Sequence, residues 1–223
     1  MYKLKTLIIV LTLGLTLPMT AQGNGLDSMA VAPDEEQAAS LDSLTEATMK
    51  KRAKEKVGQF CNYVSFIASK KRSRTTRLYY VEQAYKLFLN HGRALFDEDN
   101  PKEMIRDSVI MQVTSIKSAK PRNIYLRAYL PRMADLKYPN VSVTSTDVAE
   151  MKVSNLQKLG DGLYTCTVYF YQYFVGATRD NHVLYRDKTN KRVQVFIAED
   201  RTEDGTEYIV MLGDIFADAA EPF

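Results

Sequence analysis

The sequence predicts an α+β domain in which N-terminal helices pack on a strongly bent antiparallel sheet. Apolar residues recur every three or four positions up to about residue 136 and every second position from residue 141 onward. Turn signals such as Gly160-Asp161-Gly162 and Asp204-Gly205 separate the later segments. Segments joined this tightly pair as antiparallel neighbours, because parallel strands need long crossover connections.

The composition is that of an ordinary globular domain. The chain has 223 residues, of which 45% are hydrophobic, with 30 basic and 27 acidic side chains and a formal charge of +3. A chain of this length buries roughly 70% of the surface that its unfolded form exposes. These values exclude a disordered chain and a small disulfide scaffold.

The first 23 residues are typical of a signal peptide. Lys3 and Lys5 precede an uncharged apolar run, residues 6–17, and Ala21-x-Gly23 fits a cleavage site. The run is shorter than the roughly 18 to 20 residues that span a bilayer, so we expect an exported protein, periplasmic or extracellular, without a transmembrane span once the signal is removed. Residues 24–46 carry six acidic side chains and no Lys or Arg, which predicts a flexible acidic linker before a single domain, residues 47–223.

Three helices are expected in the first half of the domain. Residues 57–69 carry no charge and predict a helix that is buried on two sides. One side is an apolar stripe that includes Val57, Phe60, Cys61, Val64 and Ile67, and the other is a stripe of small residues that should admit a neighbouring helix. Residues 75–90 predict that neighbour. A third helix follows near residues 126–136, where Pro131 should kink or split it.

Six segments have the pattern of strands. They are residues 109–114, 141–146, 148–156, 163–175, 193–199 and 207–216, and residues 187–190 predict a turn.

This order of elements resembles the nuclear transport factor 2-like superfamily, whose members have a cystatin-like cone. The resemblance covers about residues 48–217 and depends on element order, on the long strand at residues 163–175 and on the closing strand Tyr208-Ile209-Val210-Met211-Leu212-Gly213-Asp214-Ile215. It implies a pocket between the sheet and the helices that is used for binding or catalysis. It also implies pairing through the outer face of the sheet.

The pocket candidates are Tyr63, Tyr208 and Asp214. In the strand alternation Asp214 shares a face with Tyr208, Val210, Leu212 and Phe216, so it is a weak candidate for a general base if that face lines the cone. The interpretation we favour places Asp214 at the wet end of its strand, paired locally.

Tyrosines mark one face of the long strand. Tyr169, Tyr171 and Tyr173 alternate with Phe170 and Phe174, so that both faces of the strand are apolar. Since a solvated outer face should be polar, the pattern predicts a covered face and therefore a homodimer. The alternative is a wet face whose tyrosine hydroxyls contact water.

Basic residues concentrate in residues 50–77, which hold ten Lys or Arg and one acid. Lys70, Lys71, Arg72, Arg74 and Arg77 form a candidate basic surface for an envelope protein or lipid headgroups. Nucleic acid is an unlikely partner, because an exported protein meets little of it. Alternatively, these cations only solvate the ends of a buried helix.

Cys61 and Cys166 either form a disulfide or stay apart as buried thiols. A helix layer and a sheet layer about 10 Å apart leave the two Cα atoms just beyond the roughly 7 Å limit for a disulfide, which favours separate thiols. The sequence lacks paired His, Cys-x-x-Cys and calcium-loop spacings, so we expect neither a metal nor another cofactor.

These observations favour an exported cell-envelope binding or assembly module without catalytic activity, self-associating through its sheet. One alternative is an isomerase- or hydratase-like enzyme with Asp214 as base, and another is an envelope transport or secretion component that docks through its basic helices. The contents of the cone distinguish the binding module from the enzyme. If the cone is filled by Phe60, Val64, Ile67 and Met133, it has no room for a substrate.

Overall fold

The fold comes from a computed structural model, which describes residues 42–202 and 205–223. The expected signal peptide and the linker up to residue 41 lie outside the described residues. Three α-helices occur in the described part of the chain: α1 (Ser43–Ala68), α2 (Arg74–Tyr85) and α3 (Leu126–Ala134). Two short 3-10 helices, Leu89–Gly92 and Val148–Glu150, lie between other elements.

The strands build one large sheet and one small one. They are β1 (Leu95–Phe96), β2 (Met104–Arg106), β3 (Ile110–Ser115), β4 (Ser118–Tyr125), β5 (Asn140–Ser145), β6 (Lys152–Val153), β7 (Gln157–Gly160), β8 (Leu163–Ala177), β9 (Val183–Thr202) and β10 (Gly205–Ala217). The large sheet is open and has the order β4-β3-β10-β9-β8-β5, with β6 and β7 also paired to β8, while β1 and β2 pair separately. The predicted α+β class is therefore correct. The prediction of a wholly antiparallel sheet was wrong, because β3 and β10 pair in parallel at Met111 and Ile215 and the large sheet is therefore mixed.

Helix α1 begins at Ser43, inside the segment expected to be a linker. Asp42 caps the helix, and its carboxylate accepts hydrogen bonds from the Leu44 amide at 3.2 Å and the Thr45 hydroxyl at 3.3 Å. Glu46 and Lys50, one turn apart, form an ion pair at 2.6 Å. These local bonds explain why the acidic end of the linker is helical.

The core lies between α1 and the inner face of the sheet. Val57, Phe60, Val64 and Ile67 are buried together with strand residues such as Val168 in one apolar cluster, which confirms the predicted apolar stripe. The stripe of small residues, which includes Gly58, was expected to admit a neighbouring α-helix. At Gly58 this prediction was wrong. A Cβ atom there would overlap the side chain of Val148, so this glycine admits the 3-10 helix rather than a second α-helix.

The sequence did not predict strands β1, β2, β4 and β7, and two predictions about residues 148–156 and 187–190 were wrong. Residues 148–156 are not one continuous strand. They form the 3-10 helix Val148–Glu150, and only two of them form a strand, β6. Residues 187–190 are not a turn and lie within the 20-residue strand β9. Asp187 and Thr189 are buried there, so their polarity reflects interior hydrogen bonding rather than a turn.

Helix α3 continues through Pro131 instead of splitting. Pro131 has no amide hydrogen to donate to the carbonyl of Arg127, four residues earlier. The hydroxyl of Tyr85, the last residue of α2, donates to this carbonyl at 3.1 Å. The second helix therefore supplies the hydrogen bond that the proline removes.

No helix in the described part of the chain combines the length and apolarity that crossing a membrane requires.

Candidate functional site

Asp214 lies in a bulge of β10, which changes the face it occupies. Leu212 is opposite Val195 and Ile215 is opposite Val193, so Gly213 and Asp214 together face the single residue Gln194. The buried series Val210 and Leu212 therefore continues at Ile215 rather than at Asp214 and Phe216. The prediction that Asp214 shares the face of Tyr208 and Leu212 was wrong, because the extra residue reverses the alternation.

The partners of Asp214 are structural groups of the protein. Its carboxylate accepts hydrogen bonds from Arg106 Nη2 at 2.9 Å and from the amide of Ile110 at 2.9 Å. The guanidinium of Arg106 also lies 5.1 Å from the ring centre of Phe196. Asp214 thus joins β2 and the start of β3 to β10. It is paired, as the favoured interpretation expected, but it is partly buried within β10 rather than at a wet strand end, and its partner Arg106 is distant in the sequence.

The other two pocket candidates contact different neighbours. The Tyr63 hydroxyl accepts a hydrogen bond from Gln59 at 3.1 Å, and its ring lies 5.8 Å from that of Tyr80. The Tyr208 ring lies 5.6 Å from the guanidinium of Arg52. The side chains of Phe60, Val64, Ile67 and Met133 are buried in the core, as the filled-cone alternative requires.

A polar cluster that the sequence analysis missed lies on the inner face of the sheet. We call Lys191, Asp187, Tyr185, Thr189 and Gln172 the inner polar cluster. The Lys191 ammonium donates to the carbonyl of Gln112 at 3.0 Å, and the Tyr185 hydroxyl donates to Asp187. Thr189 lies opposite Gln172 on the neighbouring strand.

Burial shifts the pKa values of Lys191 and Asp187 in the inner polar cluster. It lowers the pKa of Lys191 to about 8, an effect that the charge of Asp187 partly offsets. Burial also raises the pKa of Asp187, which the hydrogen bond from Tyr185 opposes. A lysine of this kind could exchange a proton near neutral pH. However, Lys191 is only 3% exposed, so a dissolved substrate has no direct access to it.

The tyrosine row, Tyr169, Tyr171 and Tyr173, lies on the opposite face of β8. Tyr169 and Tyr171 are 36% and 42% exposed, whereas Tyr173 is half-buried. The ammonium of Lys188 lies 4.1 Å from the ring centre of Tyr171, and the ring of Phe223 lies 5.3 Å from that of Tyr173. The predicted grouping of the three rings is confirmed, and within the described chain much of the row contacts solvent.

A groove of about 390 Å³ follows the tyrosine row. It is lined by Thr146, Glu150, Lys152, Tyr169, Phe170, Tyr171, Tyr173 and Asn190. Rings, charges of both signs and amide groups thus line one concave surface, and such a surface suits binding through stacking and hydrogen bonds.

Most of the predicted basic surface is occupied by contacts within the chain. Arg74 binds Asp135 through two hydrogen bonds at 2.9 and 3.0 Å, and Lys70 donates to the carbonyl of Ala134 at 3.1 Å. The guanidinium of Arg72 lies 4.4 Å from the ring centre of Phe66. Lys71 is exposed and lines a shallow pocket beside β5.

The prediction that Arg77 belongs to the basic surface was wrong, because Arg77 is buried. Its guanidinium donates to the carbonyls of Arg72 at 2.6 Å and Ala134 at 3.2 Å. It therefore satisfies two carbonyls at the junction of α1, α2 and α3, a role that a sequence pattern does not distinguish from an exposed cation.

The cysteines are separate thiols, as the spacing argument favoured. Cys61 and Cys166 are both buried and unbonded. Burial raises the pKa of each thiol to about 12, so neither is a reactive nucleophile. Among the residues that the structure describes, no three His, Cys, Asp or Glu side chains are grouped to hold a metal ion.

Comparison of the chain with models of protein families, with curated proteins and with solved structures finds no match in any of the three.

Proposed function

We propose that the chain is an exported, non-enzymatic binding or assembly module of the cell envelope with nuclear transport factor 2-like architecture. In this proposal it forms a homodimer through the tyrosine row. The helix pair comes first, the third helix follows strands β1 to β4, and the long antiparallel strands β8, β9 and β10 come last, an order that supports the architecture. The signal-peptide pattern supports the location.

The exposure of the tyrosine row is the observation that carries the proposed function. Two large aromatic side chains on one face of β8, each more than a third exposed, leave apolar ring surface in water. Tyrosine is enriched at protein interfaces, because a ring and a hydroxyl together suit a surface that is partly apolar.

The charges around the row favour a second copy of the chain as the occupant. The exposed side chains of Glu150 and Lys152 lie in the groove, and Arg192 and Asp218 form an ion pair beside it at 3.2 Å. In a two-fold dimer the same surface of both copies meets, so that if one residue contacts a second residue of the other copy, the reciprocal contact also forms. A surface with both signs can therefore pair its own acids with its own bases.

Two observations weigh against catalysis as the main activity. Asp214 is held by Arg106 and the Ile110 amide, which leaves no free base at the position expected from the sequence. The side chains that would border a substrate cavity in the cone, Phe60 and Ile67 among them, are buried in one apolar core cluster. Both observations favour a binding module over the isomerase-like alternative.

Native mass spectrometry of the full chain and of Tyr171→Asp tests the homodimer. We expect a dimer for the unmodified chain and a monomer for Tyr171→Asp, because the change places two carboxylates in an apolar contact. Tyr79→Asp is the matched control, since Tyr79 is an exposed tyrosine of α2 away from the sheet, and it should leave the dimer intact.

Circular dichroism establishes that the variants are folded, and Tyr171→Ser provides a milder change if the aspartate unfolds the chain. A monomeric unmodified chain at micromolar concentration would overturn the proposal. A Tyr171→Asp chain that stays dimeric while folded would also overturn it.

A further inference from the structure

A second groove lies between α1 and the segment that follows β5. It has a volume of about 760 Å³ and is lined by Ala47, Lys50, Lys51, Lys54, Glu55, Val148, Ala149, Met151, Lys152 and Val153. Small-molecule sites in proteins have volumes of roughly 300 to 1,000 Å³. This groove therefore has room for a ligand of drug or lipid size. We call it the lysine groove.

The floor of the lysine groove is apolar and held in place. Met151 is buried, and the side chain of Val148 fits against the backbone of α1 at Gly58, where any larger residue would collide with it. The backbone of the 3-10 helix is fixed to α1 by Lys54, which donates to the carbonyl of Ala149 at 3.2 Å. The groove is thus formed before a ligand arrives.

The rim of the lysine groove is cationic. Four lysines and one glutamate line it. Lys50 is paired with Glu46, and Lys54 is engaged with Ala149, whereas Lys51 and Lys152 project from exposed positions. An anionic head bound at this rim would gain two exposed ammonium partners beside an apolar floor.

We propose that the lysine groove binds a single-chain anionic amphiphile, of which a long-chain fatty acid is the representative. The carboxylate lies between Lys51 and Lys152, and the acyl chain lies on Val148, Met151 and Val153. A fatty acid matches both features at once, because its charge is confined to one end and the rest is apolar.

The size of the groove distinguishes this ligand from a protein partner. A stable protein interface buries about 800 Å² on each partner. A groove lined by one helix and one short segment matches a chain molecule better than it matches a domain surface. The lysine groove shares Lys152 with the groove along the tyrosine row, but Lys51 and the apolar floor lie outside that row. Failure of the homodimer would therefore leave this proposal unaffected.

Titration calorimetry of the full chain with monomeric palmitate tests the proposal. We expect one palmitate per chain and a loss of affinity of about tenfold or more in Lys51→Glu, because the change sets a carboxylate against the ligand head. Lys117→Glu is the control, since Lys117 is an exposed lysine in the turn between β3 and β4, and it should change the affinity by less than about twofold.

A second variant blocks the floor without changing charge. Ala47→Trp places an indole in the groove from an exposed position of α1, and it should abolish binding while the melting temperature stays close to that of the unmodified chain. Hexadecyltrimethylammonium, which has a chain of the same length with a cationic head, should not bind.

Three results would overturn the proposal. The first is palmitate affinity that is unchanged in both Lys51→Glu and Ala47→Trp. The second is equal binding of the cationic amphiphile. The third is binding to anionic phospholipid vesicles without binding of monomeric palmitate, which would identify a membrane-facing patch of lysines rather than a groove for one acyl chain.

Discussion

Lys191 is a buried side chain on the same face of β9 as Asp187, whose negative charge partly offsets the effect of burial on the pKa of Lys191. The structure pairs its Nζ with the carbonyl of Gln112 and pairs Asp187 with the hydroxyl of Tyr185. Each charge is thus stabilised by a neutral dipole as well as by the other charge. A buried charge without such partners would cost several kcal/mol.

The lowered pKa of Lys191 predicts that stability increases with pH above neutrality. The folded chain releases the proton of this ammonium near pH 8, whereas an unfolded lysine keeps its proton to about pH 10.4. Between these values the unfolded state binds more protons, so the free energy of unfolding rises with pH. From pH 7 to about 9.5 the rise attributable to this group is about 2 kcal/mol.

Urea denaturation of the unmodified chain and of Lys191→Met over this pH range provides the measurement. The difference in unfolding free energy between the two proteins should grow with pH in favour of the unmodified chain. Lys158→Met, at an exposed lysine of β7, is the control and should show no such trend. Parallel pH profiles for the chain and Lys191→Met would show that the ammonium keeps its ordinary proton affinity.

At the scale of elements, the hydroxyl of Tyr85 joins α2 to α3 at the proline of α3. Tyr85 is buried and donates to the carbonyl of Arg127, which Pro131 leaves without its helical partner. Tyr85→Phe should therefore lower the free energy of unfolding by about 1 kcal/mol, because a partly buried carbonyl loses its hydrogen bond. Urea denaturation monitored by circular dichroism measures this loss.

A double-mutant cycle with Pro131→Ala isolates the cause. Alanine at this position supplies the missing amide hydrogen, so the Arg127 carbonyl no longer needs the tyrosine. Tyr85→Phe should then cost less than about half as much in the Pro131→Ala background. An equal cost in both backgrounds would mean that the hydroxyl of Tyr85 stabilises the fold in another way.

The sequence predicts an element correctly where its apolar residues recur at the period of the element and occupy the buried positions. Helix α1 and strands β8 and β10 belong to this group, because their apolar residues recur at the period of the element and end at caps or turn glycines. The first half of β9 does not, since its inward residues include Asp187 and Thr189, which resemble turn residues in any local pattern. The bulge at Gly213 and Asp214 also leaves no local mark, because it is defined by the pairing with Gln194.

The same contrast applies to the candidate sites. The tyrosine row could be predicted, since its three rings alternate along one strand. The lysine groove could not, because it joins α1 to residues 148–153, about a hundred positions later in the chain. Sequence patterns identify residues that share an element, and a site formed by distant elements requires the topology as well.

At the scale of the whole molecule, one core connects the helices to the sheet. The buried face of α1 contributes Val57, Phe60 and Val64 to the same apolar cluster as Val168 of β8 and Leu212 of β10. Strand β9 is paired with β8 on one side and with β10 on the other over most of its length. Disruption of the contact between α1 and the sheet should therefore unfold the domain as a unit.

Val64→Asp and Asn62→Asp test this connection with the same charge on the same helix. Val64 is 0% exposed, so an aspartate there would be buried without a partner and should cost about 4 kcal/mol or more. Asn62 lies on the exposed side of α1, where the same charge should change the free energy of unfolding by less than about 0.5 kcal/mol. Urea denaturation monitored by circular dichroism compares the two. If Val64→Asp unfolded at the same urea concentration as Asn62→Asp, α1 could not be the helix that closes the core, and the floor of the lysine groove would lose its support as well.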